Sequence, residues 1–190
     1  RHGVEIMGYL KQLGEIAIPF ESWEEVNKNP FFSPNKSIIS DLESYLNDIR
    51  AERNSVGANI FVCAKKMPIG LGEPVFSRLD ADIAAAMMSI NATKGVEIGS
   101  GFNSVAQKGT EHSDEMTSKG FKSNNAGGVL GGISTGQDIE VNVAFKPTSS
   151  IPQEKNSIDI EGKDLECLKS SNLDLINQEV ILIEDLGNYF

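Results

Sequence analysis

Hydrophobic and polar positions along the chain change rhythm several times, and each change predicts an element. Residues 4–19 alternate weakly through Val4, Ile6, Tyr9, Leu10, Ile16 and Ile18, which predicts one or two strands turning at Gly14. Residues 21–36, with two prolines and three asparagines, predict a structured loop with one short helical turn. Trp23, Phe31 and Phe32 in that loop are expected to form a small apolar cluster. Ser37 is then expected to cap a helix whose apolar side is Ile38, Leu42, Tyr45, Leu46 and Ile49, with Gly57 as its left-handed stop. Residues 57–65 form a short apolar run that reads as a buried strand. A glycine/proline loop at 67–76 leads into a second helix from about Ser77, with Leu79, Ile83, Ala86, Met87 and Ile90 on its apolar face and Asp80 and Asp82 in its first turn. A strand through Val96 and Ile98 follows, and residues 107–119 read as a polar loop. Ile139, Val141, Val143 and Phe145 alternate with Glu140, Asn142 and Ala144 in a period-2 strand. Strands and helices mix without a βαβ rhythm, so the predicted class is α+β with a largely antiparallel sheet.

Composition narrows the functional classes. The 190 residues carry 17 Lys and Arg against 27 Asp and Glu, a formal charge of −10, which argues against a nucleic-acid backbone binder. Residues 151–190 hold −6 of that charge, so a main part at 1–151 and an acidic tail at 152–190 are expected. No apolar run approaches the ~20 residues of a membrane span. Cys63 and Cys167 make neither a disulfide framework nor a metal site, and the cytoplasm is the default location. The chain opens on Arg1 rather than Met, and we expect it to be an internal piece of a longer protein.

Candidate chemistry is sparse. Residues 120–137 contain six glycines, yet neither phosphate-binding glycine motif fits: Ile133 stands where a P-loop needs Lys, and Gly99 and Gly101 are followed by Ser104. The segment is either a bulged turn between strands or backbone that a ligand can approach closely. KPTSS at 146–150 ends a strand with a cation and three hydroxyls, suited to a phosphate or a polar ring edge, or to an ordinary turn. His112 lies in an acidic loop and is expected at the surface; Cys63 is expected to be buried and inert. By pattern alone no catalytic acid, base or nucleophile stands out.

Longer stretches carry a resemblance. GLGEPVFSRLDADIAAAMMSINATKGVEIGSGF (70–102), GFKSNNAGGVLGGISTGQDI (120–139) and KPTSSI (146–151) resemble chorismate synthases, and the likeness is continuous from about Val4 to Ile151. It implies part of a β-α-β sandwich. It also implies a reduced-FMN-dependent 1,4-anti elimination of phosphate from 5-enolpyruvylshikimate 3-phosphate, within a homotetrameric parent, with NADPH as a possible source of reduced flavin. The residues it maps onto flavin contacts are Asn91, Ala92, Gly131, Lys146, Pro147, Thr148, Ser149 and Ser150.

The departures from that family are specific. The two proton-transfer histidines of the family belong to motifs expected before Arg1, and Asn125 stands where many members have His. Asp174 lies near the place of the family's downstream Asp, but the Arg and His of that motif are missing. A trianionic substrate needs clustered arginines, and the chain has only Arg1, Arg50, Arg53 and Arg78. Taken alone, the chain is expected to be inactive. Three readings stand: part of an active enzyme, a non-catalytic remnant whose tail is out of register after about Gly162 and which retains at most weak flavin affinity, and, from pattern alone, a small phosphate- or nucleotide-binding module.

Overall fold

The computed structural model describes residues 3–168. Asp174 and the apolar run at 180–183 lie outside the described residues. The central feature is a five-stranded, wholly antiparallel sheet in the order β2-β1-β3-β9-β4. Its strands are β1 (Glu5–Leu13), β2 (Ile16–Ala17), β3 (Ala58–Lys65), β4 (Thr93–Ile98) and β9 (Ile139–Phe145). Strand β9 is buried at Ile139, Val141, Val143 and Phe145, as its alternation requires. These side chains meet Leu10, Leu13, Ile60 and Val62 on the same face. Helices α2 (Ile39–Ala51) and α3 (Leu79–Met88) close that face through Leu42, Ile83 and Met87. The α+β, antiparallel class is therefore observed.

The opposite face of the sheet carries an aromatic cluster. Tyr9 and Phe61, cross-strand neighbours, pack with Phe20 and with Trp23 from the short helix α1 (Trp23–Val26) at centroid distances of 5.0–5.4 Å from Tyr9. Trp23 thus joins residues brought to it by the sheet rather than Phe31 and Phe32. Phe31 instead packs, partly buried, against the main core cluster.

Three local expectations are corrected. Ser37 is not the cap of α2, whose N-cap is Ile38. The backbone N–H and the hydroxyl of Ser37 both donate to Asn35 Oδ1 (2.8 and 2.7 Å), so a local turn has claimed them. The left-handed residue after α2 is Arg53 (φ +55°), not Gly57. The Asn54 N–H closes that end on the Ile49 carbonyl at 3.0 Å. Gly57 is needed for a different reason: a Cβ there would lie 2.5 Å from the Phe145 carbonyl oxygen. On α3, Ala86 is exposed, and the buried stripe runs through Leu79, Ile83, Met87 and Ile90.

Between β4 and β9 the chain makes a 3₁₀ turn (Gly101–Ala106) and helix α4 (Gly109–His112). Two small hairpins follow, β5 (Met116–Thr117) with β6 (Gly120–Phe121), and β7 (Val129–Leu130) with β8 (Ile133–Ser134). After β9 a third hairpin pairs β10 (Glu154–Ile158) with β11 (Asp164–Leu168).

Candidate functional site

Two places in the fold collect the sequence-predicted site residues. The first lies where β9 ends. The Lys146 N–H donates to the Ala92 carbonyl at 3.0 Å, which joins the segment 146–150 to the turn between α3 and β4. Asn91 and Ala92 form that turn, and Ala92 holds the left-handed conformation at φ +68°. On the other side, Ser55 Oγ donates to the Thr148 carbonyl at 2.7 Å. Lys146, Pro147 and Ser149 are exposed, while Thr148 and Ser150 are half-buried. Next to Ala92, Thr93 Oγ1 is buried with no hydrogen-bond partner among the described residues.

The second place is an open cleft of ≈ 330 Å³ beside the β7–β8 hairpin, and Gly131 belongs to it. Its apolar wall includes Ile98, Val129 and Leu130; Arg78, Asp80, Ser104, His112 and Asn125 supply the polar part. Gly131 has φ +60°, and a Cβ there would meet nothing within 4 Å, so its backbone is openly approachable. Asn91, Ala92 and residues 146–150 are thus brought together, and Gly131 stands apart from them. The Leu79 N–H bonds the Gly132 carbonyl (2.8 Å), so Gly131 sits at the N-terminal end of α3, whereas Asn91 and Ala92 follow its C-terminal end. The ten residues of α3 separate the two places by roughly 15 Å.

Asp114 organises the loop that forms the cleft's polar side. Its carboxylate accepts from Ser123 Oγ (2.6 Å) and from the backbone N–H groups of Asn125 (2.7 Å) and Ala126 (2.8 Å). Partial burial alone would raise its pKa. The hydrogen bonds from Ser123, Ala126 and Asn125, with His112 nearby, outweigh that and hold the carboxyl below its ordinary range. A carboxylate whose folded pKa is depressed stabilises the fold above the unfolded value and ceases to as pH falls through the folded one. Asp114→Asn is therefore expected to cost roughly 1–3 kcal/mol near pH 7, and the difference should shrink once the pH drops below about 4. Thermal melts at both pH values measure it; an equal loss at both would refute the role.

Sequence reasoning missed Asp114, since its partners lie nine to twelve residues away with no spacing motif to betray them. It also placed His112 at the surface. The residue is half-buried in the cleft wall, with Nδ1 2.8 Å from Gln107 Oε1. Cys63 is buried as expected, and burial, reinforced by Asp138, pushes its thiol up to about 12. Among the described residues no group of His, Cys, Asp and Glu could hold a metal ion, and no helix is long and apolar enough to cross a membrane.

The class of protein that these observations define is an antiparallel α+β domain with a glycine hairpin beside a cleft and a Lys-Pro-Thr-Ser-Ser turn hydrogen-bonded to an Asn-Ala turn. The chain is a member of the chorismate synthase family, whose profile matches residues 1–183 and so runs past Ile151, where the visible resemblance ends. Similar proteins include chorismate synthases of Methylobacillus flagellatus, 64% identical over 87% of this chain and 46% of that protein, and of Aromatoleum aromaticum, 64% identical over 85% and 43%. A crystal structure of chorismate synthase superposes with a TM-score of 0.72 at 31% identity, covering 78% of this chain and 50% of that one. The chain spans somewhat less than half the length of the curated relatives it matches.

Proposed function

We propose that this chain is the flavin-holding portion of a chorismate synthase, a cytoplasmic homotetramer when whole. The whole enzyme releases phosphate from 5-enolpyruvylshikimate 3-phosphate to give chorismate, using FMN in its reduced form, with NADPH as the reductant. Residues 1–151 carry the flavin segments in this reading. The observation that carries it is the Lys146 to Ala92 hydrogen bond, which brings seven of the eight family flavin positions into one place.

The residues present fit such a ligand. Gly131 offers unobstructed backbone for a flat ring, and Thr93 Oγ1 is an unused buried hydroxyl beside Ala92. Lys146 is exposed at a strand end with three hydroxyls behind it, a combination that suits a phosphate dianion. A reduced flavin held by these residues would supply electron density for the elimination. The chain's own part is to bind and orient: Lys146 neutralises charge, the hydroxyls of Thr148, Ser149 and Ser150 can donate to oxygen, and the glycine hairpin shapes one wall.

The motifs that carry the family's two proton-transfer histidines do not occur in this sequence. Loss of such groups costs about 10²–10⁴-fold in rate for each one removed. The 190-residue chain should therefore bind FMN saturably, read by quenching of flavin fluorescence, yet release no phosphate from the substrate with reduced FMN under anaerobic conditions. Failure to bind would overturn the flavin reading; turnover would overturn the claim that this portion is catalytically incomplete.

A further inference from the structure

The cleft beside the β7–β8 hairpin contains one ring nitrogen whose protonation is dictated by the backbone around it. The Glu111 carbonyl can only accept, so the Asn125 side-chain atom 3.1 Å from it is Nδ2, a donor. That orientation turns Asn125 Oδ1 toward Ser100 Oγ (3.0 Å) and Gln107 (3.3 Å). An amide oxygen there requires a donor, so Gln107 presents Nε2 to it and Oε1 to His112. Oε1 again only accepts, and Nδ1 of His112 therefore carries the proton at 2.8 Å. In the neutral imidazole this leaves Nε2 as a bare acceptor. No described residue is hydrogen-bonded to Nε2, and the ring lines the cleft.

The surrounding charges decide what such an acceptor can meet. Arg78 is paired with Asp80 through Nε to Oδ1 (3.1 Å) and a second, shorter contact. Glu111 accepts from the Lys108 N–H at 2.7 Å, and Asp114 is filled by Ser123, Asn125 and Ala126. Each charged group facing the ring already has a partner. With two carboxylates flanking His112 and its neighbouring cation neutralised, the cleft does not favour an anion. Its Ile98, Val129 and Leu130 wall and the open backbone at Gly131 favour a flat apolar body with a polar edge.

We propose that His112 Nε2 is the acceptor that fixes a planar heteroaromatic ligand in this cleft through a ring N–H. The proposal rests on the reading of Gly131 as a flavin contact and adds a specificity-determining residue to it.

The probe is oxidised FMN, titrated into the 190-residue chain at pH 8. His112→Phe removes the acceptor and should weaken binding about tenfold. His112→Gln restores an amide oxygen that can accept and should recover most of that loss. Wild-type affinity in His112→Phe, or a loss in His112→Gln as large as in His112→Phe, would overturn the role of His112 and leave the flavin site standing. Absence of FMN binding by the wild type would overturn both. Independently, long-range proton–nitrogen NMR of the imidazole at pH 8 should show Nδ1 protonated. The opposite tautomer would refute the hydrogen-bond chain whatever FMN does.

Discussion

Gly127→Ala should lower the thermal midpoint of the chain by roughly 10 °C, the outcome of about 3–4 kcal/mol of strain in a domain of this size. Gly127 and Gly99 cross with their backbones in contact: a Cβ on Gly127 would lie 2.3 Å from the Gly99 nitrogen, and one on Gly99 would lie 2.4 Å from the Gly127 nitrogen. Both are left-handed, at φ +64° and +59°. The neighbouring atoms are main chain and themselves committed, since the Gly99 N–H bonds the Glu140 carbonyl (2.9 Å) and the Ser100 N–H the Asn125 carbonyl (2.8 Å). Relief would require pulling the loop off the end of β4, which dismantles the cleft. Gly109→Ala, where a Cβ meets nothing within 4 Å, is the matching control and should change little. Circular-dichroism melts compare them, and equal midpoints would sink the argument.

Lys146→Ala should weaken FMN binding roughly 10- to 100-fold, the loss of one charge-assisted contact to a phosphate. The side chain is exposed, so its removal leaves no cavity, and the backbone N–H that bonds Ala92 is untouched. Stability should therefore hold while affinity falls, and the affinity of the wild type should decline with added salt more steeply than that of the variant. Lys36→Ala, an exposed lysine on the far side of the chain sequence from both places, serves as the control. Unchanged affinity in Lys146→Ala would remove that side chain from the site.

Periodicity made the sheet and both long helices legible. The alternation from Ile139 to Phe145 names four of the five residues that β9 buries, Asn142 being the fifth, and Leu42 and Met87 fall within the stripes read from the sequence. What periodicity could not supply was competition between local partners. Ser37 looked like a cap until Asn35 took its donors, and Gly57 looked like a helix stop although the close passage of Phe145 is what demands a glycine. Trp23 found Tyr9 and Phe61 only because β1 pairs with β3 across some fifty residues of sequence.

The site was legible only in part, for the same reason. Residues 146–150 and Asn91–Ala92 were readable as segments through family resemblance, but their junction is a single long-range hydrogen bond. Asp114 and His112 act through partners in neighbouring turns, which no spacing rule connects. Gly131 is flavin-contacting in the resemblance, yet its neighbourhood is the cleft and not residues 146–150.

Strand β9 is hydrogen-bonded along both edges, to β3 on one side and β4 on the other. One end of it receives the glycine loop, and residues 146–150 leave from the other. Amides in such a twice-paired strand open only when the whole domain does. The glycine loop and residues 146–150 are therefore attached at opposite ends of a seven-residue strand, roughly 20 Å long, that resists local opening.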